Sequence, residues 1–221
     1  MGRMTPPLDP AGLAMPIGGL SVLFVMAAEA EYGPELRRVI RPLITGVGPV
    51  EAAAATGAAL GTLAARGRLP ALVFSLGSAG SRTLEHAGIY QISSVAYRDM
   101  DATPLGFAKG LTPFLDEPAT ILIPQRIPGV PAASISTGAA IISGSSYDTI
   151  AADMVDMESY AVLRAARRFG VPMIGLRGIS DGRGDLTGLH DWTEYLHVID
   201  AKLAAAIEAF ARQVANGGFI L

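Results

Sequence analysis

The chain has no cysteine, which removes disulfides, thiolate metal centres and cysteine nucleophiles from consideration. Histidine is scarce too: His86, His190 and His197 have no metal-ligand spacing, so no zinc site, and no cofactor of any kind, is expected. Charged residues make up only 17% of the 221 residues, the net charge is −3, and no basic run occurs. A nucleic-acid surface is therefore not expected. No apolar run is long enough to span a membrane, so no membrane partner is expected either. Residues 12–28 are mostly apolar and follow Arg3, as a signal peptide would, but Pro16, Gly18 and Gly19 interrupt them. What remains is strand-length. Residues 1–19 thus read as a loosely ordered leader and residues 20–221 as a single domain, with the cytoplasm as its default compartment.

What the chain has in quantity is apolar side chains. They form 50% of the sequence, and the mean hydropathy is +0.40. A chain of this length and composition builds a sizeable core. Short runs rich in branched residues, at 20–27, 71–76, 88–97, 133–136 and 171–179, read as strands, with 120–123 as an edge strand. Helical spacing is found at 34–40, at 50–66 behind Pro49, from 155 to Gly170, and from 191 to about 214. In the last of these, Asp191 and Glu194 have the spacing of a capping box. Strands alternating with helices predict a three-layer α/β/α fold with a central mixed sheet.

The polar residues gather where these strands end. Arg177, Ser180 and Asp181 close the run 171–179, Glu29 and Glu31 follow 20–27, and glycine loops lie at 46–49 and 77–80. In open α/β sheets the carboxyl ends of strands are where ligands bind. Each feature also has a plainer explanation. A strand-ending Asp181 can cap a turn, a short glycine loop can simply be tight, Glu158 can offset a helix dipole, and Trp192 can be a packing residue. If Glu31, Glu158 and Asp181 converge, however, two carboxyl groups could divide the work of glycosidic cleavage. One would protonate the leaving group, the other would activate water, and the third would bind sugar hydroxyls.

The ordered set Ala27-Ala28-Glu29-Ala30-Glu31, Gly46-Val47-Gly48, Gly77-Ser78-Ala79-Gly80, Arg98-Asp99-Met100-Asp101, 137–145, 155–158 and 177–181 resembles the 5′-methylthioadenosine/S-adenosylhomocysteine nucleosidases of the nucleoside phosphorylase superfamily. The resemblance implies a nucleoside phosphorylase-like fold and release of adenine from purine nucleosides in methionine salvage. Asp181 would protonate purine N7, with Ser180 hydrogen-bonded to it. Glu31 would activate the water, and Arg177 would help hold that water and the glutamate. Met157 and Glu158 would bind the ribose, Ser78 would lie near water and sugar, and Ile142 would meet the base through its backbone. Trp192 would line the pocket for the 5′-substituent. A homodimer is implied, with residues 99–107 reaching the neighbouring subunit's pocket.

The chain departs from the family pattern in several places. It is shorter between Glu31 and Gly46, Ile141 stands where an aromatic would stack on the base, Ala139 replaces an Asp, and Ala30 replaces a Glu. Three alternatives stay open. A phosphorylase would cleave the same bond with phosphate, but such enzymes place an arginine just before the glycine loop, where this chain has Ser75 and Leu76. Nucleosidases for other purine nucleosides, of the futalosine or hopanoid-precursor type, fit the altered base pocket. A catalytically silent nucleoside-binding protein fits less well, because both Asp181 and Glu31 are present.

Overall fold

The computed structural model describes residues 12–221. Its core is built on two parallel strands, β2 (Leu20–Met26) and β4 (Leu72–Gly80), which are buried on both faces. Their near-continuous apolar runs reflect that double burial. Phe24 lies beside Phe74 in register, with ring centroids 5.5 Å apart, and Phe210 meets Phe74 edge-on at 5.2 Å. β4 continues in parallel to β9 (Met173–Asp181), which runs antiparallel to β5 (Ile89–Tyr97). β5 is parallel to β7 (Ala132–Thr137), and β7 to β8 (Met154–Asp156). β8 then returns to β4 where Val155 pairs with Gly80, so these five strands close on themselves. The short strands β1 (Ala14–Ile17) and β3 (Leu43–Ile44) lie along β2, and β6 (Thr120–Leu122) along β5.

Helices cover the sheet as the three-layer arrangement requires. α2 (Pro49–Ala65) packs on α3 (Ser159–Arg168), which lies over β5, β7 and β9. α1 (Pro34–Val39) packs on α5 (Leu196–Ala215), which lies over β9, β4 and β5. The carboxylate of Asp200 on α5 accepts the backbone N–H groups of Glu35 (2.9 Å) and Leu36 (3.1 Å), so the first turn of α1 is capped from another helix. Among the described residues, no helix is long and apolar enough to cross a membrane.

Three sequence expectations need correction. Of the leader 1–19, residues 1–11 lie outside the described residues, but Ala14–Ile17 is a strand paired antiparallel with residues 20–23. Gly18 and Gly19, both with positive φ, form the turn of this hairpin. Residues 155–158 do not begin a helix: Met154–Asp156 is the buried strand β8, and the helix starts at Ser159, whose N–H is taken by the Asp156 carboxylate at 2.9 Å. The helix expected from Asp191 is two helices, α4 (Leu189–Thr193) and α5. Asp191 turns back to accept the N–H groups of Thr187 (2.6 Å) and Gly188 (3.0 Å), so it caps the start of α4, while Glu194 ends that helix with its N–H on the His190 carbonyl.

Candidate active site

Glu31 follows β2 in a single 3-10 turn, Glu29–Glu31, and its side chain is carried inward to 8% exposure. Gly77 makes room for it. Gly77 has φ +157°, and a β-carbon there would lie 3.1 Å from Glu31 Oε1. The Ser78 N–H (2.7 Å) and hydroxyl (2.6 Å) both donate to Oε1, and the Trp192 indole N–H donates to the same Ser78 hydroxyl at 2.9 Å. Oε2 is buried and has no hydrogen-bond partner among the described residues. Burial raises the Glu31 pKa above the usual carboxylate range, against the opposing pull of the two Ser78 bonds and the Arg177 charge. Glu29, by contrast, is at the surface and pairs with Arg37 at 2.8 Å.

Asp181 owes its direction to an irregularity in β9. Ala79 pairs with Ile179 but Gly80 pairs with Asp181, so Ser180 is an extra residue on that strand. Such a bulge bends the strand and re-aims the side chains beside it. The Ser180 hydroxyl donates to Asp181 Oδ2 at 2.7 Å. Burial raises the Asp181 pKa, partly offset by the Ser180 bond and by nearby His86.

Glu158 ends the turn between β8 and α3. Its Oε1 accepts the N–H of Gly48, the residue before α2, at 2.8 Å. Burial first, and then the charge of Asp156, push its pKa up to about 7. The glycine loop at 46–48 therefore serves this carboxylate through its backbone.

Arg177 makes no direct hydrogen bond to Glu31. Its guanidinium is buried and paired with Asp156 at 3.0 Å, and it also donates to Ser75 Oγ (2.9 Å), Ser159 Oγ (2.8 Å) and the Leu176 carbonyl (3.0 Å). Its hydrogen bonds go to these groups rather than to Glu31, because Asp156 supplies a buried counter-charge. The other oxygen of Asp156 accepts from Thr137 Oγ1 at 2.6 Å, which ties β7 to the same network. Arg177 still lines a small recess with Glu31 and Glu158, so its charge is felt by both.

A cavity of about 310 Å³ brings most of the expected residues together: Glu31, Ser78, Met157, Glu158, Asp181 and Trp192 all line it. Ile141 and Ile142 line it as well, with Ile141 71% exposed at its mouth. Ser180 and Arg177 lie behind the wall, bonded to Asp181 and Asp156. Sequence reasoning gave no role to Asp156 or Arg98, although both stand in the stretches that carry the resemblance, and it missed the lining residues Leu186 and Leu189. Arg98 is held by the carbonyls of Ser136, Asp156, Gly138 and Ala140. The arrangement offers three carboxyl groups, Glu31, Glu158 and Asp181, held above their ordinary pKa range at the edge of a mainly apolar cavity, where such groups can both take up and give up protons.

The comparisons with known proteins agree with this geometry. Residues 35–215 match the model of the phosphorylase superfamily. A 5′-methylthioadenosine/S-adenosylhomocysteine nucleosidase of Haemophilus influenzae is 33% identical over 184 residues, which is 75% of this chain and 77% of that protein. A nucleosidase of the same name from Colwellia psychrerythraea, solved with adenine, superposes with a TM-score of 0.67 at 22% identity, over 89% of this chain and 97% of that one. A futalosine hydrolase mutant of Helicobacter pylori shares the fold, with a TM-score of 0.66 at 17% identity over 89% and 98% of the two chains. The chain belongs to the phosphorylase superfamily and, within it, to the family of the 5′-methylthioadenosine/S-adenosylhomocysteine nucleosidases. It is accordingly an enzyme, an N-glycosidic hydrolase.

Proposed function

We propose that this enzyme hydrolyses the N-glycosidic bond of adenine nucleosides such as 5′-methylthioadenosine and S-adenosylhomocysteine. The observation that carries the reading is that Glu31, Asp181 and Glu158 line one cavity, with Glu31 Oε2 free of partners among the described residues. Protonated Asp181 gives its proton to purine N7, which makes the base a neutral leaving group. As the bond to C1′ breaks, positive charge builds on the sugar, and the carboxylates of Glu31 and Glu158 face it. Glu31 takes a proton from water, and the water oxygen bonds to C1′. Glu158 accepts the 2′- and 3′-hydroxyls, Met157 packs on the ribose, and the Ile142 backbone meets the base. Burial supports both proton steps, since it keeps Asp181 protonated to higher pH and makes Glu31 a stronger base.

Water is favoured over phosphate as the nucleophile by the residues before the glycine loop. Ser75 stands there, and its hydroxyl holds Arg177 in the wall. Arg98 is the one cation lining the cavity among the described residues, and it is already engaged by four carbonyls. Neither offers phosphate a free terminal guanidinium nitrogen, and the Nε of Arg98, unpartnered among the described residues, is buried. The exposed Ile141, where an aromatic would cover the base, favours a second reading, in which another purine nucleoside is also accepted. A homodimer belongs to the proposal, with residues 99–107 and their exposed Leu105 reaching the neighbouring cavity. Asp181→Asn tests the mechanism: turnover of 5′-methylthioadenosine should fall by about a thousandfold or more while nucleoside binding persists. Unchanged turnover would refute the role of Asp181.

A further inference from the structure

Tyr147 has no part in the mechanism above, yet its hydroxyl is buried beside the acid. The residue sits in the 3-10 stretch Gly144–Thr149 and is 7% exposed. Its ring is held from outside by the Arg82 guanidinium, 5.4 Å from the ring centroid, and Arg82 is itself fixed by Asp148 and the Gly144 carbonyl. The hydroxyl has no hydrogen-bond partner among the described residues. It points at Gly80, where β4, β8 and β9 meet. A β-carbon on Gly80 would collide with the Tyr147 hydroxyl and lie 2.7 Å from Asp181 Oδ1. The phenol oxygen and Oδ1 thus flank a point that only a glycine leaves open. The other oxygen of Asp181 accepts from Ser180, which leaves Oδ1 as the oxygen free to hold a transferable proton.

We propose that Tyr147 is a positioning residue for the acid step: its hydroxyl donates to Asp181 Oδ1 once that oxygen has given its proton to the base. This inference rests on the proposed role of Asp181. The proton moves from Oδ1 to the purine nitrogen, while the phenol keeps its own proton and shares it as a hydrogen bond. The bond stabilises the carboxylate that forms as the transition state is reached, and does nothing for the protonated ground state. Leaving a buried hydroxyl unpaired is unfavourable, and this is the circumstance in which Tyr147 gains a partner. The groups facing Asp181 are Ser180, His86 and Tyr147, with Arg82 and Arg98 beyond Tyr147. Burial and the Asp181 charge both raise the Tyr147 pKa, so the phenol stays protonated and able to donate.

The test is Tyr147→Phe, assayed with 5′-methylthioadenosine across pH beside the parent and Asp181→Asn. The account expects kcat to fall about tenfold at unchanged KM. Losing a donor to the carboxylate raises the Asp181 pKa, so the basic limb of kcat/KM should move up by about one pH unit. The melting temperature should stay level or rise, since no bond is lost in the free enzyme. A superposable pH profile and unchanged kcat overturn the inference, as does a lowered melting temperature with an unmoved basic limb. 3-Fluorotyrosine at position 147, a stronger donor, should move the limb down, and no movement also counts against the inference. If Asp181→Asn keeps the parent's rate and basic limb, the reading of Asp181 fails and takes this inference with it. A parent limb that depends on Asp181, beside an unaffected Phe variant, sinks the inference alone.

Discussion

Both donors of Ser78, its amide N–H and its hydroxyl, converge on one oxygen of Glu31, at 2.7 and 2.6 Å. The carboxylate is fixed by one oxygen and left basic at the other. Trp192 completes the chain by donating to the Ser78 hydroxyl, which leaves that hydroxyl's own proton for Glu31. A residue expected to pack or to line the substituent pocket therefore also helps orient Glu31.

Ser78→Ala removes the side-chain bond to Glu31 and keeps the backbone one. A carboxylate that loses a donor is harder to ionise, so the Glu31 pKa, already raised by burial, should rise further. The acid limb of the pH–rate profile should move up and kcat should fall by about tenfold. A pH–rate profile identical to the parent's would show that the hydroxyl does not tune Glu31.

Asp156→Ala leaves the Arg177 charge buried without its partner. Breaking a buried pair from one side costs about 3–5 kcal/mol, so urea denaturation should show a loss of that order. Arg177 is 2% exposed and Asp156 7%, so solvent offers little relief. A loss below about 1 kcal/mol would place the pair in the class of surface ion pairs instead.

Glu158→Gln separates catalysis from stability. In the parent, the folded pKa is raised from 4.5 to about 7. Protonation is thus favoured by folding, and the associated stability is complete below the unfolded value and lost as pH rises through about 7. Glutamine never ionises, so the variant's melting temperature should gain on the parent's between about pH 5 and about pH 8. The same variant should discriminate less between ribo and 2′-deoxy substrates. A pH-independent difference in melting temperature would contradict the burial of an ionisable Glu158.

Much of this arrangement was legible from residue type and position. The strands 20–27, 71–76 and 171–179 showed themselves because buried parallel strands are near-continuous apolar runs, and 88–97 by its branched and aromatic residues. Glu31, Glu158 and Asp181 could be noticed because each acid stood at an expected strand end or helix start. What escaped was information that lives in pairing. β8 is three residues long, too short for any periodicity, and is a strand only because β7 and Gly80 supply partners. The bulge at Ser180 depends on register with Ala79 and Gly80. Asp156 read as one acid among several until Arg177 and Thr137 were seen to share it. Asp191 fitted a capping box by spacing alone, while the folded chain uses it for the turn before.

Asp200→Ala tests how the cap of α1 is supplied. The carboxylate is 2% exposed and serves two N–H groups from about the opposite end of the chain. Its loss should cost about 1–2 kcal/mol, read from chemical denaturation, with little change in KM. A much larger effect on activity than on stability would mean that α1 positions the site directly.

The central claim is hydrolysis at this cavity, and product analysis with 5′-methylthioadenosine, run with and without phosphate, tests it most directly. The account predicts free adenine and the free thiosugar, at a rate that does not respond to phosphate. A strict phosphate requirement with a sugar 1-phosphate product would contradict it, and with it the roles given to Ser75 and Glu31.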